Sequence, residues 1–284
     1  MGQQCLQMRI TGSLVLYRSS SEQFERAINS FLAGAPAGRI WIVDNSPAPL
    51  RSDLFSHPRV SYLFAGENLG FGKGHNCALR RIAGESDLHV FLNPDVEFGD
   101  NTLPHLVGEF RADRGIVAGM PRILYPDGSL QRLCKLLPTP LDLIVRRFVP
   151  IASVRRRIER RYELHELPQE RSIEVPIVSG CFLVARSTIL GRMNGFDERF
   201  FMYMEDFDLV RRLAGHGKVV YMPGASATHS YAKGSYRSIK LLGYHMYSAL
   251  QYFNKWGWFI DKERSMRNRR MLRELNLQGG RTGA

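Results

Sequence analysis

The sequence predicts an α/β protein in which a mostly parallel central sheet is flanked by helices. Near-continuous apolar runs, which are typical of strands buried on both faces, alternate with segments whose apolar residues recur at helical spacing. Strands are predicted at residues 10–17, 39–43, 60–64, 88–92, 175–185 and 218–223. Ligands of such sheets bind beyond the carboxyl ends of the strands, so residues that follow a strand are the first candidates for a site.

Helical segments follow the first and third strands. Ser21, a residue type favoured at helix N-termini, precedes Phe24, Ile28 and Phe31, which share one face of a helix. The glycine-rich segment 66–76 leads into another helix, and its glycines permit close backbone approach to a ligand. It matches neither the dinucleotide fingerprint nor the phosphate loop, so an ordinary turn and a ligand-binding loop both fit its composition.

Length and composition are those of one large α/β domain with additions. The chain has 284 residues, of which 44% are hydrophobic and 23% charged. Its four cysteines lack metal-ligand spacing, which favours free thiols in a reducing compartment. With no secretory signal and no apolar run long enough to span a bilayer, we expect a cytoplasmic protein, at most peripheral on a membrane.

The net charge of +12 is concentrated in two clusters, Arg146–Arg161 and Lys262–Arg273. An anionic membrane surface and a phosphorylated substrate suit this charge; nucleic acid is the weaker choice because no zinc-finger, RRM or KH pattern accompanies it. The first cluster is compatible with a lid, a membrane contact or a solvated face. The aromatic segment 241–261 predicts a helix that docks on the core or lies at a lipid interface.

The run 199–212 places three carboxylates, Glu205, Asp206 and Asp208, among aromatic and apolar residues. Its spacing predicts an extended segment that becomes helical near Glu205. An apolar setting disfavours ionised carboxylates unless they are paired, bind a cation or accept a proton. The three acids therefore indicate a site, with helix capping and pairing to the arginines at the end of the run as the alternative.

Polar residues also follow several predicted strands. Tyr17, Asp44 and Asp95 lie at strand ends. The sequence 93–95 is Asn-Pro-Asp, which suits a turn but also suits a Mg²⁺ or Mn²⁺ site completed by substrate phosphates. His229 follows a later strand, and beside Asp95 it becomes a candidate metal ligand.

In this order the motifs resemble family-2 inverting glycosyltransferases of the GT-A fold, and within them the bacterial rhamnosyltransferase-like branch. The matching residues are 43–46, 68–71, Asn76, 92–95, 195–201, 205–206, Asp208 and His229. The resemblance implies a Rossmann-like nucleotide-diphospho-sugar transferase domain and a helical C-terminal extension. The implied divisions are a domain 1–235, its nucleotide-binding half 1–100, its acceptor-binding half 115–235, a basic helical insertion near 140–165, and the extension 236–284.

The resemblance also implies residue roles in the donor site. That site would comprise Tyr17, Asp44, Asn45, Asn68, Gly70, Phe71, Asn76 and Asn93. Asp44 would hydrogen-bond the pyrimidine base, and Tyr17 would line the base pocket. Asn93 stands where the family's metal-binding triplet begins with aspartate, so its contact with the ribose or metal is weaker.

For the reaction, the resemblance implies that Asp95 and His229 hold Mg²⁺ or Mn²⁺ on the donor diphosphate. Asp206 would be the general base that takes the acceptor hydroxyl's proton, with Glu205 orienting the acceptor. Glu205 is the second candidate for the base because adjacent carboxylates titrate as a coupled pair.

The expected reaction is transfer of rhamnose from dTDP-rhamnose to a cell-envelope polysaccharide or a polyprenyl-phosphate-linked glycan. A UDP-linked hexose donor fits the same motifs. A non-catalytic nucleotide-sugar-binding protein is less favoured because the acidic pair and the metal residues are intact. We expect an anionic membrane surface as a further partner and no nucleic acid, on the inner face of the plasma membrane; the oligomeric state is left open.

Overall fold

A computed structural model of the chain describes residues 8–82, 84–143, 151–230 and 239–279. The strands are β1 (Ile10–Leu16), β2 (Arg39–Asp44), β3 (Val60–Phe64), β4 (Leu88–Leu92), β5 (Val96–Phe98), β6 (Ile116–Leu124), β7 (Ile173–Glu174), β8 (Phe182–Arg186) and β9 (Lys218–His229). The α-helices among these residues are α1 (Ser21–Gly34), α2 (Phe71–Leu79), α3 (Thr102–Ala112), α4 (Ala152–Tyr162), α5 (Ser187–Arg192), α6 (Glu205–Leu213), α7 (Ile239–Trp256) and α8 (Lys262–Gly279).

The described strands form one mixed sheet in the order β3-β2-β1-β4-β8-β6-β9-β5, with β7 paired to β9. Strands β3, β2, β1 and β4 are mutually parallel, whereas β8 runs antiparallel between β4 and β6. Leu16 is in register with Asp44, and Asp44 with Phe64. The carboxyl ends of three neighbouring strands therefore lie level at one edge. The predicted α/β fold with flanking helices and a helical C-terminal extension is confirmed.

The predicted strands at 60–64 and 88–92 match β3 and β4. The strand predicted at 175–185 is shorter than expected, because β8 begins only at Phe182. Residues before it bond elsewhere: the N–H of Gly180 goes to a side chain rather than to a neighbouring strand. In contrast, β9 continues beyond the predicted end at 223 to His229, because its second half pairs with β5.

The aromatic C-terminal segment docks on the core. Tyr252 and Phe253 of α7 are buried against Phe200 and Met204, which lie just before the acidic residues of α6. Together these side chains form a second, smaller hydrophobic cluster beside the main core. The loop that leads to the acids therefore packs against α7.

The basic segment is helical over α4, whereas residues 144–150, including the predicted break at Pro150, lie outside the described residues. Within the described part of the chain, no helix is long and apolar enough to cross a bilayer. Cys77, Cys134 and Cys181 are free thiols, as expected.

Candidate active site

The end of β2 holds a fully buried carboxylate, that of Asp44. Its Oδ1 accepts the N–H of Ser46 at 2.9 Å, and its Oδ2 accepts the N–H of Leu50 at 2.8 Å and the hydroxyl of Tyr62 at 2.6 Å. Burial, and then the bond to Asp44, raise the pKa of Tyr62, so this phenol stays a donor. These three protein donors occupy most of the about four acceptor positions of the carboxylate.

Tyr17 lies in the open beside this end of the sheet. Its side chain follows β1 and is 45% exposed, and the Arg18 guanidinium lies 5.6 Å from its ring centre. An exposed aromatic ring next to a guanidinium offers stacking area and positive charge to a planar anionic ligand.

Two predicted site residues, Asn45 after β2 and Asn68 within the glycine-rich loop, hydrogen-bond the backbone of that loop. Asn45 Nδ2 donates to the Gly70 carbonyl oxygen at 2.9 Å, and Asn68 Oδ1 accepts the Gly70 N–H at 3.1 Å. Gly70 has φ of 81°, and an added Cβ would collide with the carbonyl oxygen of Phe201. That same oxygen accepts the N–H of Phe71 at 3.1 Å. Glycine is therefore required where the glycine-rich loop meets the loop that leads to the acids.

Asn76 of α2 is buried, and its side-chain amide is hydrogen-bonded within the protein. Its Nδ2 donates to the Phe196 carbonyl and to Glu198, and its Oδ1 accepts the Phe196 N–H at 2.9 Å. The structure thus gives Asn76 a bracing role between α2 and the 196–198 loop. Its contact with a donor stays a prediction.

Asp95 and His229, the two predicted metal ligands, lie side by side. Val96 of β5 is in register with His229 of β9, which brings His229 Nε2 to 3.2 Å from Asp95 Oδ1 and 3.3 Å from Asn93 Nδ2. The Asp95 carboxylate remains 19% exposed, whereas His229 is buried. This edge of the sheet therefore joins one imidazole nitrogen and one carboxylate at an accessible position.

Gln131 orients the imidazole of His229. Its Oε1 lies 3.1 Å from His229 Nδ1, and its Nε2 donates to the His229 carbonyl oxygen at 2.5 Å. The second bond fixes the amide orientation, so Oε1 faces Nδ1 and accepts its N–H, and Nε2 is the ring nitrogen that lies towards Asp95. That arrangement fits a divalent ion between the two. The described residues offer no cluster of three His, Cys, Asp or Glu side chains for a metal, so phosphate and water oxygens would complete its shell.

The acidic pair begins α6. Glu205 is buried and its Oε2 has no partner, whereas Asp206 is half-buried and accepts N–H groups from Gly180 at 3.0 Å and Phe207 at 2.9 Å. Burial, and then the neighbouring Asp206 charge, raise the pKa of Glu205 well above its ordinary value. Burial also raises the pKa of Asp206, but the Gly180 N–H and the charge of Lys135 oppose this. A shared proton therefore favours Glu205 and leaves Asp206 ionised.

Two consecutive residues connect the acid pair to the metal residues. The N–H of Gly180 binds Asp206, and the carbonyl oxygen of the next residue, Cys181, accepts the Asn93 N–H at 2.8 Å. Burial raises the pKa of the Cys181 thiol to about 12, and the negative charges of Asp95 and Asp206 contribute to this shift. Both carboxylates therefore lie near Cys181. Asp95 and Asp206, far apart in sequence, thus flank one dipeptide at the rim of the sheet.

Asp208, the third acid of the run, is bound by three side chains of the protein. It is fully buried and contacts Arg212 Nε at 2.8 Å, Lys255 Nζ at 2.6 Å and Trp256 Nε1 at 2.9 Å. The alternative expected for the acids, pairing with an arginine at the end of the run, is therefore correct for Asp208. This carboxylate attaches α7 to α6.

Sequence reasoning missed Gln131, Gly180 and Lys135 as contributors to this site. A single glutamine and a single lysine carry no motif, and their relevance depends on which strands are neighbours. The sequence signal for Gly180 was its place in a Ser-Gly-Cys segment before β8, and an added Cβ there would lie 3.0 Å from the Cβ of Asp206.

Comparison with known proteins gives the class to which this fold and site belong. The family model described as "Glycosyl transferase family 2" matches residues 15–192. A mannosyltransferase of Pyrobaculum calidifontis, solved with GDP-Man and Mn²⁺, superposes with a TM-score of 0.55 at 15% identity, over 87% of this chain and 65% of that chain. This likeness shows the fold, which is GT-A. The chain belongs to glycosyl transferase family 2.

Curated relatives are rhamnosyltransferases. The N-acetylglucosaminyl-diphospho-decaprenol L-rhamnosyltransferase of Mycobacterium tuberculosis is 34% identical over 198 residues, which is 64% of this chain and 62% of the relative. Rhamnosyltransferase WbbL of Escherichia coli K12 is 24% identical over 250 residues, or 84% of this chain and 90% of the relative. The chain therefore matches just under two thirds of the length of the mycobacterial protein.

Proposed function

We propose that this protein transfers rhamnose, with inversion, from dTDP-rhamnose to a lipid-linked glycan acceptor of the cell envelope. The names of the mycobacterial and Escherichia coli relatives support rhamnose as the sugar, and the former also supports a polyprenyl-diphosphate-linked acceptor. The observation that carries the proposal is the 180–181 dipeptide, which holds the Asp206 carboxylate on one side and the Asn93–Asp95 turn on the other.

Asp206 is the proposed general base. Inverting transfer needs a carboxylate that removes the acceptor hydroxyl's proton while the hydroxyl attacks opposite the leaving nucleoside diphosphate. Two N–H groups hold Asp206 in place, and burial raises its pKa, which strengthens it as a base while these bonds favour ionisation. Glu205 beside it, buried and with an unpartnered oxygen, keeps the proton and orients the acceptor as a neutral donor.

Asp95 and His229 are the proposed protein ligands of a divalent ion. When bound, Mg²⁺ or Mn²⁺ neutralises charge that develops on the diphosphate. Asn93 Nδ2 lies 3.3 Å from His229 Nε2, which supports our proposal that Asn93 contacts the ribose or the metal shell. On the donor side, Tyr17, Asp44 and the loop of Asn68 to Phe71 surround the level ends of β1 to β3, where we propose the nucleotide binds; Asn45 and Asn76 brace this loop.

The proposed division of labour follows the chain. Residues 1–100 supply the donor side, residues 115–235 the acid pair, and the segment from 236 onward anchors the acid loop through α7. We further propose that the enzyme works in the cytoplasm, at the inner face of the plasma membrane where lipid-linked acceptors are presented.

The test is a screen of nucleotide sugars for thermal stabilisation with and without Mn²⁺, followed by assay of the hits for nucleoside diphosphate release with glycan-lipid acceptors. A ligand at 100 times its Kd stabilises by about 2.7 kcal/mol, which shifts the melting temperature measurably. We expect dTDP-rhamnose to give the largest Mn²⁺-dependent shift. A larger shift with a UDP-hexose would contradict dTDP-rhamnose as the donor. Stabilisation without any turnover would contradict the proposal that the protein is an enzyme.

A further inference from the structure

The corner between α7 and α8 exposes large apolar side chains. Phe259 and Ile260 are 85% and 86% exposed, and Met266, near the start of α8, is 63% exposed. A groove of about 820 Å³ lies between these side chains and α8. Large apolar side chains that are exposed together mark interaction sites in soluble proteins.

Buried charges hold this corner in shape. The buried Arg264 donates to the carbonyl oxygens of Trp258 and Phe259 at 3.1 and 3.2 Å, and its own N–H binds Asp261 at 2.9 Å. Asp261 in turn accepts two bonds of 2.7 Å from the buried Arg211 of α6. The backbone beneath the apolar tip is therefore fixed to α6 through buried ion pairs.

A basic face adjoins the apolar tip. Lys262, Met266, Arg269 and Arg273 follow one another at intervals of four, three and four residues, so they share one face of α8. All four are exposed and line the groove. An apolar tip flanked by lysine and arginine is the pattern of segments that lie in the headgroup region of an anionic bilayer.

The acidic side chains of the groove have partners within the protein. Asp261 lies in its ion pair with Arg211, and Glu274 lies 3.9 Å from Arg171. The field at this face is therefore set by the exposed basic residues, which complement a negative surface.

We propose that the α7–α8 corner is the membrane-docking site of this protein and that its partner is an anionic lipid bilayer. Phe259 and Ile260 enter the boundary between headgroups and acyl chains, while Lys262, Arg269 and Arg273 contact the headgroups. The inference deepens the proposed function, because a lipid-linked acceptor is presented at a bilayer. Its test requires no activity, so it can fail or succeed apart from the enzymatic proposal.

The experiment is co-sedimentation of the full chain with vesicles of phosphatidylcholine alone or with 30–40% phosphatidylglycerol, roughly the range that gives a strong negative surface potential. The wild-type protein should bind only the anionic vesicles, and binding should fall at high salt. Replacing both Phe259→Ser and Ile260→Ser should weaken the vesicle Kd by about tenfold or more. The triple change Lys262→Gln, Arg269→Gln and Arg273→Gln should weaken it on the order of 100-fold, about fivefold per residue.

A matched control removes the same charge elsewhere. Arg156, Arg157 and Arg161 are exposed on α4, and changing all three to Gln should leave the Kd within about threefold. Unchanged melting temperatures would show that every variant folds. Loss of binding in the α4 control but not in the α8 variants would overturn the proposal, as would equal binding to neutral vesicles. A dimer in sedimentation velocity that disappears in the serine variant would also overturn it, since a second chain would then cover the patch.

Discussion

Asp206 Oδ2 accepts the backbone N–H of Gly180 at 3.0 Å, and this bond ties the proposed base to the centre of the sheet. Residue 181, one step further, joins the turn that carries Asp95. A change in the 180–181 backbone would therefore move the acid pair and the metal residues relative to each other. Catalytic positioning depends on such distances at the level of an ångström.

Gly70 provides a test of the contact between the glycine-rich loop and the Phe201 carbonyl oxygen, with Gly84 as its control. Both have φ of 81°, but a Cβ at Gly70 would strike the Phe201 carbonyl oxygen, whereas at Gly84 it would meet no atom within 4 Å. We expect Gly84→Ala to cost about 1 kcal/mol of unfolding free energy and Gly70→Ala at least about 2 kcal/mol more. Urea unfolding measures both; equal losses would show that the close approach is not needed.

The fold was largely predictable because its strands are unbroken apolar runs that end in turn residues, as at 60–64 and 88–92. The site was predictable only in part. Asp206 and Asp208 look alike in sequence, but two residues along a helix rotate a side chain by about 200°, so Asp208 faces Lys255 and Trp256 of α7. Gln131 could not be found because its role requires knowing that β6 neighbours β9.

Glu205 predicts a pH dependence of stability. Burial, with the Asp206 charge as a second cause, raises its pKa above the unfolded value, so its contribution to stability is complete below about pH 4.5 and is lost as pH rises through the folded pKa. Replacement by Gln removes this dependence. The unfolding free energy of Glu205→Gln relative to wild type should rise with pH, by up to about 1.4 kcal/mol per unit. Parallel curves from pH 5 to 9 would contradict a protonated Glu205.

Two buried histidines, His75 and His89, predict that the unfolding free energy changes with pH in the opposite sense at acid pH. Ser13 Oγ lies 2.7 Å from His75 Nδ1 and 2.8 Å from His89 Nε2, and burial lowers the pKa of His89 to about 3 and that of His75 well below its ordinary value. Their contribution to stability is complete above about pH 6.5 and is lost as pH falls. Below about pH 6.5 these two histidines therefore lower the unfolding free energy as the pH falls. His89→Gln should remove about half of the histidine slope in unfolding titrations, and an unchanged slope would refute the assignment.

Gln131 is expected to affect metal binding without contacting the metal. Gln131→Leu removes the acceptor of His229 Nδ1 and should weaken Mn²⁺ binding, measured by electron paramagnetic resonance in the presence of nucleoside diphosphate, by about 10- to 100-fold. Asp95→Asn should weaken it at least as much. The control is Gln169→Leu, which removes a hydrogen bond to Tyr221 rather than to His229. Equal affinities for Gln131→Leu and wild type would argue against His229 as a ligand.

The most direct measurement of the central claim compares the kcat and the donor Kd of Asp206→Asn with those of Asp208→Asn. Asn at 206 can still accept the Gly180 N–H but cannot take a proton, so kcat should fall by about 10²- to 10⁴-fold while the donor Kd stays within about threefold. Asp208→Asn should lower the melting temperature, because it breaks buried ion pairs, and should change kcat less than tenfold below that temperature. A kcat for Asp206→Asn near that of wild type would contradict the account.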